Sequence, residues 1–406
     1  MSNTEEISPE LQILIESCKV SLLKKNPAQL ERIVNSEVDW AKLQKMVFFH
    51  KISPVLHHSF KEINHQNSLS GRLQQISLHQ AIANLSTSVE LADILSQLQS
   101  QNIRILPYKG LIFLKEFYNN QPLREISDLD LVVHPEDAKK ALMYFIQNGY
   151  VMHHRNPKKW ESISHQLDDT LSAHGLHEIT LDKTLENGFQ VSIDFHWGFI
   201  YSFLPYQLDI NVFFENTQSA KIAHATCQVP SDKILLMMLI LHHGGRDCWV
   251  TFKLLTDLMM FYQSKSEDYN WQEAIDFASQ LKLRKALLTG FCLLERYFDV
   301  DLNPVLKKNI LADKIPIQQL ERIKKFWEKY QHFNSLFPRL RYERILISLQ
   351  DKGFSVPKYY RNVVMMYGYP NPLENKRLVT FPSRFVYLNA AAKVFTYLLT
   401  KFKHNR

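Results

Sequence analysis

The sequence predicts an α+β protein, a small mixed β-sheet core flanked by N-terminal and C-terminal helical domains. Three observations carry that expectation. Glycine is scarce, 11 of 406 residues, so tight β-turns are few. Apolar residues recur at helical spacing towards both ends. Between them, residues 102–152 alternate in the order strand, helix, strand, helix, strand. The expected divisions are 1–100, helical; 101–228, the sheet core; and 229–406, helical with a basic tail. A chain of 406 residues exceeds one hydrophobic core, so two or three packed units are expected.

The elements follow in order. Leu11, Ile13, Leu14 and Cys18 share a helical spacing, as do Leu43, Met46, Val47 and His50. Asp39 before Trp40 is an N-cap signal. From Leu73 to Leu98 an apolar stripe runs through Ile76, Ala81, Leu85, Val89, Leu91 and Leu95 and is read as packing. Ile103, Ile105 and Leu106 form a short strand that ends at Pro107-Tyr108-Lys109-Gly110, and a helix over 111–118 follows. After a turn at Asn119, Asn120 and Pro122 comes a strand over 126–133. Pro135 marks the next helix start, with Glu136 and Asp137 in its first turn. Asn148-Gly149 is its C-cap signal, and Tyr150-Val151-Met152 continues as a strand. A polar stretch with several histidines leads to an alternating run over 189–197. Residues 230–298 are helical, and 305–406 are helical with interruptions at Pro316, Pro357, Pro370 and Pro372.

Composition bounds the function classes. Apolar and charged fractions of 45% and 22% are those of an ordinary globular protein. A net charge of +7 suits nucleotides, nucleic acid or a membrane surface, and equally an unremarkable basic protein. Cys18, Cys227, Cys248 and Cys292 lie far apart with no CxxC pair, which argues against a disulfide framework or a Cys-rich zinc site. The N-terminal MSNTEEISPE is polar and acidic, and no apolar run reaches bilayer length. The expected location is therefore cytoplasmic. Walker, dinucleotide-binding and GxSxG motifs are absent, which removes support for a P-loop ATPase, a Rossmann dehydrogenase or an α/β-hydrolase.

The candidate chemistry sits on two strands. In Ile126-Ser127-Asp128-Leu129-Asp130-Leu131-Val132-Val133, Asp128 and Asp130 share one face, about 7 Å apart along the backbone, while Leu129, Leu131 and Val133 face a core. Adjacent carboxylates repel unless solvated or bound to cations, and oxygen donors on a rigid strand suit Mg²⁺. A pair of such ions about 4 Å apart would clamp both oxygens of a phosphoryl displacement. Asp299-Val300-Asp301 is a second DxD, but it lies between a helix end and Asn303-Pro304 and is read as a helix-terminating loop. Upstream of Asp128, Lys109-Gly110 stands at a helix N-terminus, where backbone N–H groups and the lysine charge can meet phosphate. Downstream, Ser192, Asp194 and His196 share a strand face opposite Val191, Ile193 and Phe195, and Asp194 is the natural third carboxylate.

Together, Lys109-Gly110, Arg124, Ser127-Asp128-Leu129-Asp130-Leu131-Val132-Val133, the helix ending in Asn148-Gly149-Tyr150, and Ile193-Asp194-Phe195-His196-Trp197 resemble the uncharacterised nucleotidyltransferase family of the polymerase-beta-like superfamily. Asp39-Trp40 to His50-Lys51 and the run Ile234 to Asp257 extend the resemblance over most of the chain. It implies metal-dependent transfer of a nucleoside monophosphate from an NTP. Asp128, Asp130 and Asp194 would hold Mg²⁺ or Mn²⁺. Lys109, Gly110, Ser127 and Arg124 would contact the nucleotide, although many superfamily members have Gly-Ser in place of Lys-Gly. For Arg124 a surface arginine is an equal reading.

His177 and His196 are candidates for lining the pocket or supporting the ligands, and no zinc spacing links them with His174. His242 and His243 lie on an apolar helix, where a core or pocket histidine is the default. Lys253 and Asp257 are spaced for an i,i+4 ion pair, or for a helical domain closing over nucleotide. The acceptor is open: a small molecule, a peptide or protein, or an RNA end, the last without a recognition module to support it. The alternative is a catalytically inactive protein of this fold with a binding or regulatory role. From Lys358 onward the tail is basic with an apolar face. It can dock on a membrane, on an anionic macromolecule or, ranked first, on the protein itself.

Overall fold

The computed structural model describes residues 7–152, 167–172, 176–199, 204–206, 208–265, 267–329, 336–369, 381–393 and 395. Among them two compact units are each assembled from separated stretches of chain. One comprises Met1–Glu90, Tyr108–Ser127 and Pro230–Lys352; the other comprises Leu91–Pro107, Asp128–Val229 and Gly353–Arg406. His174 and the polar stretch 153–166 fall outside the described residues.

The first unit is helical, and its local signals are met where the sequence places them. Asp39 caps Trp40–His50 by accepting the Lys42 N–H at 2.9 Å. Asp299 ends Arg284–Phe298 in the left-handed conformation (φ 52°), and Asn303 caps Pro304–Asp313, so the second DxD is a helix-terminating loop. Ser70–Ser100 forms one long helix, of which residues 70–90 belong to this unit and 91–100 to the other. Its expected stripe packs only in part: Leu73, Leu91, Leu95 and Leu98 are buried, whereas Leu85 and Val89 are exposed. Periodicity marks a helix face but not what covers it.

At the centre of this unit Trp249 is fully buried, its indole N–H donating to the Ala286 carbonyl at 3.0 Å. Gly244 and Gly290 make room for it, since a Cβ at either position would stand under 3.0 Å from the indole. The chain carrying Gly244, Ile240–Arg246, is a π-helical turn following Asp232–Leu239, within the stretch 230–298 read from sequence as helical.

His50 is also fully buried here. Its Nε2 donates to the Trp327 carbonyl at 3.0 Å, and its Nδ1 accepts the Phe252 N–H at 3.2 Å. Both nitrogens are thus spent on the neutral tautomer, and burial pushes the pKa down to about 3, with the Trp327 bond opposing. Between that value and the ordinary 6.5 the unfolded chain binds a proton that the folded one refuses. Stability should therefore fall as pH drops below 6.5, by up to about 1.4 kcal/mol per pH unit. Denaturant unfolding at pH 7.5 and 5 should show this slope, and His50→Gln should flatten it. An equal slope in the variant would assign the effect to other groups.

The second unit carries a five-stranded mixed sheet. Its strands are β1 (Ile105–Pro107), β2 (Leu129–Val133), β3 (Val151–Met152), β4 (Glu178–Thr184) and β5 (Gln190–His196), in the order β1-β2-β5-β4-β3. Only β2 and β5 are parallel; the other pairs are antiparallel. A two-stranded ribbon, β6 (Thr217–Ile222) with β7 (Ala225–Pro230), completes the strands among the described residues. Alternation puts Leu129, Leu131, Val133, Ile179, Leu181, Val191, Ile193 and Phe195 on one buried face.

Three expectations in this unit need correction. β2 begins at Leu129, so Asp128 stands at the strand entrance, one residue outside the ladder. The helix after β2 begins at Ala138 and not at Pro135. Glu136 and Asp137 precede it and bind Arg104, at 2.7 and 2.6 Å. β4 arises within the tract read as polar and irregular. In the tail, Val386 and Ala390 are buried while Phe385, Leu388 and Phe395 are exposed.

Candidate active site

Register creates the site. Asp130 on β2 lies directly opposite Asp194 on β5, and Val132 lies opposite His196. β5 in turn places Asp194 beside Thr180 and His196 beside Glu178 on β4. Side chains two apart share a face, so Asp130, Asp194, His196, Thr180 and Glu178 all project from the face opposite the apolar core. Asp130 and His196 are buried, at 8% and 2% exposure, and Asp194 is half-buried.

The side chains bind one another closely. Thr180 Oγ1 donates to Asp194 Oδ1 at 2.7 Å. His196 lies between two carboxylates, Nε2 at 3.6 Å from Asp130 Oδ1 and Nδ1 at 3.1 Å from Glu178 Oε2. His177, just before β4, has Nε2 3.9 Å from the same Glu178 oxygen. One donor atom from each of Asp130, Asp194 and His196 lies within 4.8 Å of the others.

The electrostatics follow. Burial raises the pKa of Asp194, and the charges of Asp130 and Asp128 raise it further against the opposing Thr180 hydrogen bond. Burial alone would lower the His196 pKa, but its bonds to Asp130 and Glu178 outweigh that and raise it. Crowded carboxylates with one imidazole are a donor set that fits a divalent cation: oxygen donors suit Mg²⁺, and the nitrogen extends the fit to Mn²⁺. Asp128 contributes charge to this set but lies outside the tight triad.

The remaining predicted residues lie in the helical unit. Gly110 caps Leu111–Tyr118 with φ 56° and ψ −114°, a conformation open chiefly to glycine. The Lys109 ammonium stands 4.6 Å from the Tyr108 ring centroid. Arg124 is buried, which removes the surface-arginine reading. Its Nε and Nη2 grip the two Asp257 oxygens at 2.7 and 2.9 Å, and its Nη1 donates to the Gly110 carbonyl at 3.2 Å. Asp257 also accepts from the Tyr118 hydroxyl at 3.0 Å and from His243 Nε2 at 2.9 Å. Both oxygens of Asp257 are thus held by these three residues, where the plain expectation paired it with Lys253. His242 is buried on the π-turn with its ring 5.5 Å from that of Tyr108. Ser127 is exposed.

Sequence reasoning passed over Glu178 and Thr180. Their signal was the alternation Glu178-Ile179-Thr180-Leu181-Asp182, which the surrounding polar residues obscured.

A family model described as uncharacterised nucleotidyltransferase matches residues 36–299. The chain belongs to that family. Comparison with curated proteins finds no match. Among solved structures, the chain is similar to an antigenic nucleotidyltransferase-like protein from Paracoccidioides brasiliensis at 12% identity, covering 49% of this chain and 91% of that one. The TM-score of 0.30 makes this a slight likeness. Asp128, Asp130 and Asp194 all lie in the sheet unit. Among the described residues no helix is long and apolar enough to cross a membrane.

Proposed function

We propose that the protein transfers a nucleoside monophosphate from an NTP to an acceptor nucleophile, with a divalent cation held by Asp128, Asp130 and Asp194. The observation that supports this most is the register of Asp130 against Asp194 on adjacent parallel strands, in a chain of this family. When bound, Mg²⁺ or Mn²⁺ supplies charge neutralisation at the phosphates and polarises the phosphoryl oxygens.

The side chains supply the rest. Thr180 fixes the Asp194 carboxylate in one orientation, and His196 stands beside Asp130 at 3.6 Å. Asp194, whose pKa is raised, is suited to accept the proton of the acceptor hydroxyl. The Lys109-Gly110 turn is proposed as a phosphate-binding element on its own grounds, a cation and a glycine-capped helix start. Ser127 is assigned to the nucleotide as a further proposal, Arg124 to holding the Gly110 turn through its bond to the Gly110 carbonyl rather than to the nucleotide directly, and His177, His242 and Lys253 to substrate contact or support. The four cysteines, all buried and unpaired, suit a reducing cytoplasm.

The test is incubation with labelled ATP, CTP, GTP and UTP, Mg²⁺ or Mn²⁺, and total cell extract as the source of acceptor. Pyrophosphate release that disappears in Asp128→Ala is expected. Release that survives in that variant contradicts the site. NTP binding by calorimetry without any turnover would instead identify a non-catalytic member of the family. Lys109→Ala should raise KM for NTP several-fold with a smaller effect on kcat, and an unchanged KM would remove Lys109 from phosphate recognition.

A further inference from the structure

β5 ends on His196, and register sets that residue opposite Val132 on β2 and Glu178 on β4. Alternation turns its side chain to the face that carries Asp130, Asp194 and Thr180. At 2% exposure the ring is locked among its neighbours, so packing decides where each nitrogen points. Nδ1 faces Glu178 Oε2 at 3.1 Å, and Nε2 faces Asp130 Oδ1 at 3.6 Å.

The two nitrogens thereby take different tasks. An ionised carboxylate only accepts, so Glu178 selects the tautomer with its proton on Nδ1. The Nε2 lone pair then looks towards Asp130, whose carboxylate is also an acceptor. Two acceptors facing each other at this range repel unless a proton or a cation stands between them. Donors that share one cation at about 2 Å lie about 3–4 Å apart. The 3.6 Å separation meets that span, and one donor atom from each of Asp130, Asp194 and His196 lies within 4.8 Å of the others. Metal-binding imidazoles commonly show this arrangement, one nitrogen on the ion and the other ring N–H on a carboxylate.

Resting on the carboxylate site proposed above, we propose that His196 is itself a ligand, held by Glu178, and that the site takes a first-row transition dication of the Mn²⁺ class in preference to Mg²⁺. Mg²⁺ demands oxygen donors in near-ideal octahedral geometry and gains little from an imidazole. Transition ions accept mixed oxygen and nitrogen sets, and imidazole strengthens their binding. Glu178 is a positioning residue in this arrangement, since it touches the ring and not the ion. An imidazolium bridging the two carboxylates is the other state this geometry permits, and it would leave binding of the ion indifferent to His196.

The test uses the full chain with Mn²⁺ and Mg²⁺ as the only ligands. Pulsed electron paramagnetic resonance of the Mn²⁺ complex should show coupling to an imidazole nitrogen that is lost in His196→Gln. By calorimetric competition the parent should bind Mn²⁺ at least about tenfold more tightly than Mg²⁺, and His196→Gln should cut that preference below about threefold. Glu178→Gln, on a side chain 33% exposed, should weaken Mn²⁺ about tenfold and Mg²⁺ less than about twofold. Circular dichroism verifies that each variant folds. Mn²⁺ binding without nitrogen coupling in the parent overturns the assignment of His196 with no variant needed, and so does equal Mn²⁺ affinity in His196→Gln. In either case, loss of binding in Asp130→Asn with Asp194→Asn leaves the carboxylate site standing. Absence of Mn²⁺ binding to the parent overturns both.

Discussion

Asp194→Asn is expected to lower nucleotidyl transfer by roughly 10³-fold while leaving the fold intact. The amide is the same shape as the carboxylate and can still accept the Thr180 hydroxyl proton, so β4 and β5 keep their pairing. What it removes is one negative donor and the proton acceptor. The ionised carboxylate is held against Asp130 and Asp128 with its pKa raised, so it opposes folding at neutral pH. The variant should therefore melt no lower than the parent. Single-turnover pyrophosphate release and thermal unfolding, read together, check both halves. Activity within threefold of the parent would remove Asp194 from the reaction, and a large fall in Tm would recast it as a structural residue.

The second large effect concerns stability. Asp257→Ala should cost about 3–5 kcal/mol, because it leaves the Arg124 guanidinium buried without its counter-charge. Arg124→Ala should cost a similar amount for the converse reason. The pair double-mutated to apolar residues of similar volume should recover part of the loss, since neither charge is then stranded. Burial alone would raise the Asp257 pKa, but the Arg124 charge and the hydrogen bonds from His243 and Arg124 outweigh it and hold it well below the ordinary 3.8. The sign follows: the contribution is present above the ordinary carboxylate range and is lost as pH falls through the depressed folded value. Urea unfolding of the parent and the three variants at pH 7 measures these energies. A loss under 1 kcal/mol in either single variant would show that the pair is solvated in a way its burial does not indicate.

Asp257 also shows what a sequence conceals. Arg124 and Asp257 are 133 positions apart, and no local pattern joins them. At i,i+4 from Asp257, Lys253 was the visible partner, yet the buried carboxylate takes the fork of a distant arginine. The π-turn at Ile240–Arg246 was hidden in the same way: its sequence reads as apolar helix, and the indole of Trp249 between two glycines belongs to the packed state. Asp130 and Asp194, by contrast, were legible as carboxylates on a strand face opposite a core-facing apolar series, whereas Asp128, read into the same strand, precedes β2. Their register was not, because sequence order does not state which strands are neighbours. β5 lies between β2 and β4, which brings Asp194 to Asp130 and places Glu178 against His196. Glu178 thus enters the site through a strand whose alternation was written in the sequence but overlaid by its polar surroundings.

The central claim is that the acidic face of β2 and β5 holds a divalent cation. Calorimetric titration of Mn²⁺ into the full chain, with and without a non-hydrolysable NTP analogue, tests it without relying on an acceptor. Saturable binding is expected, strengthened by the analogue and lost in Asp130→Asn with Asp194→Asn. Binding of equal strength in the double variant would contradict it.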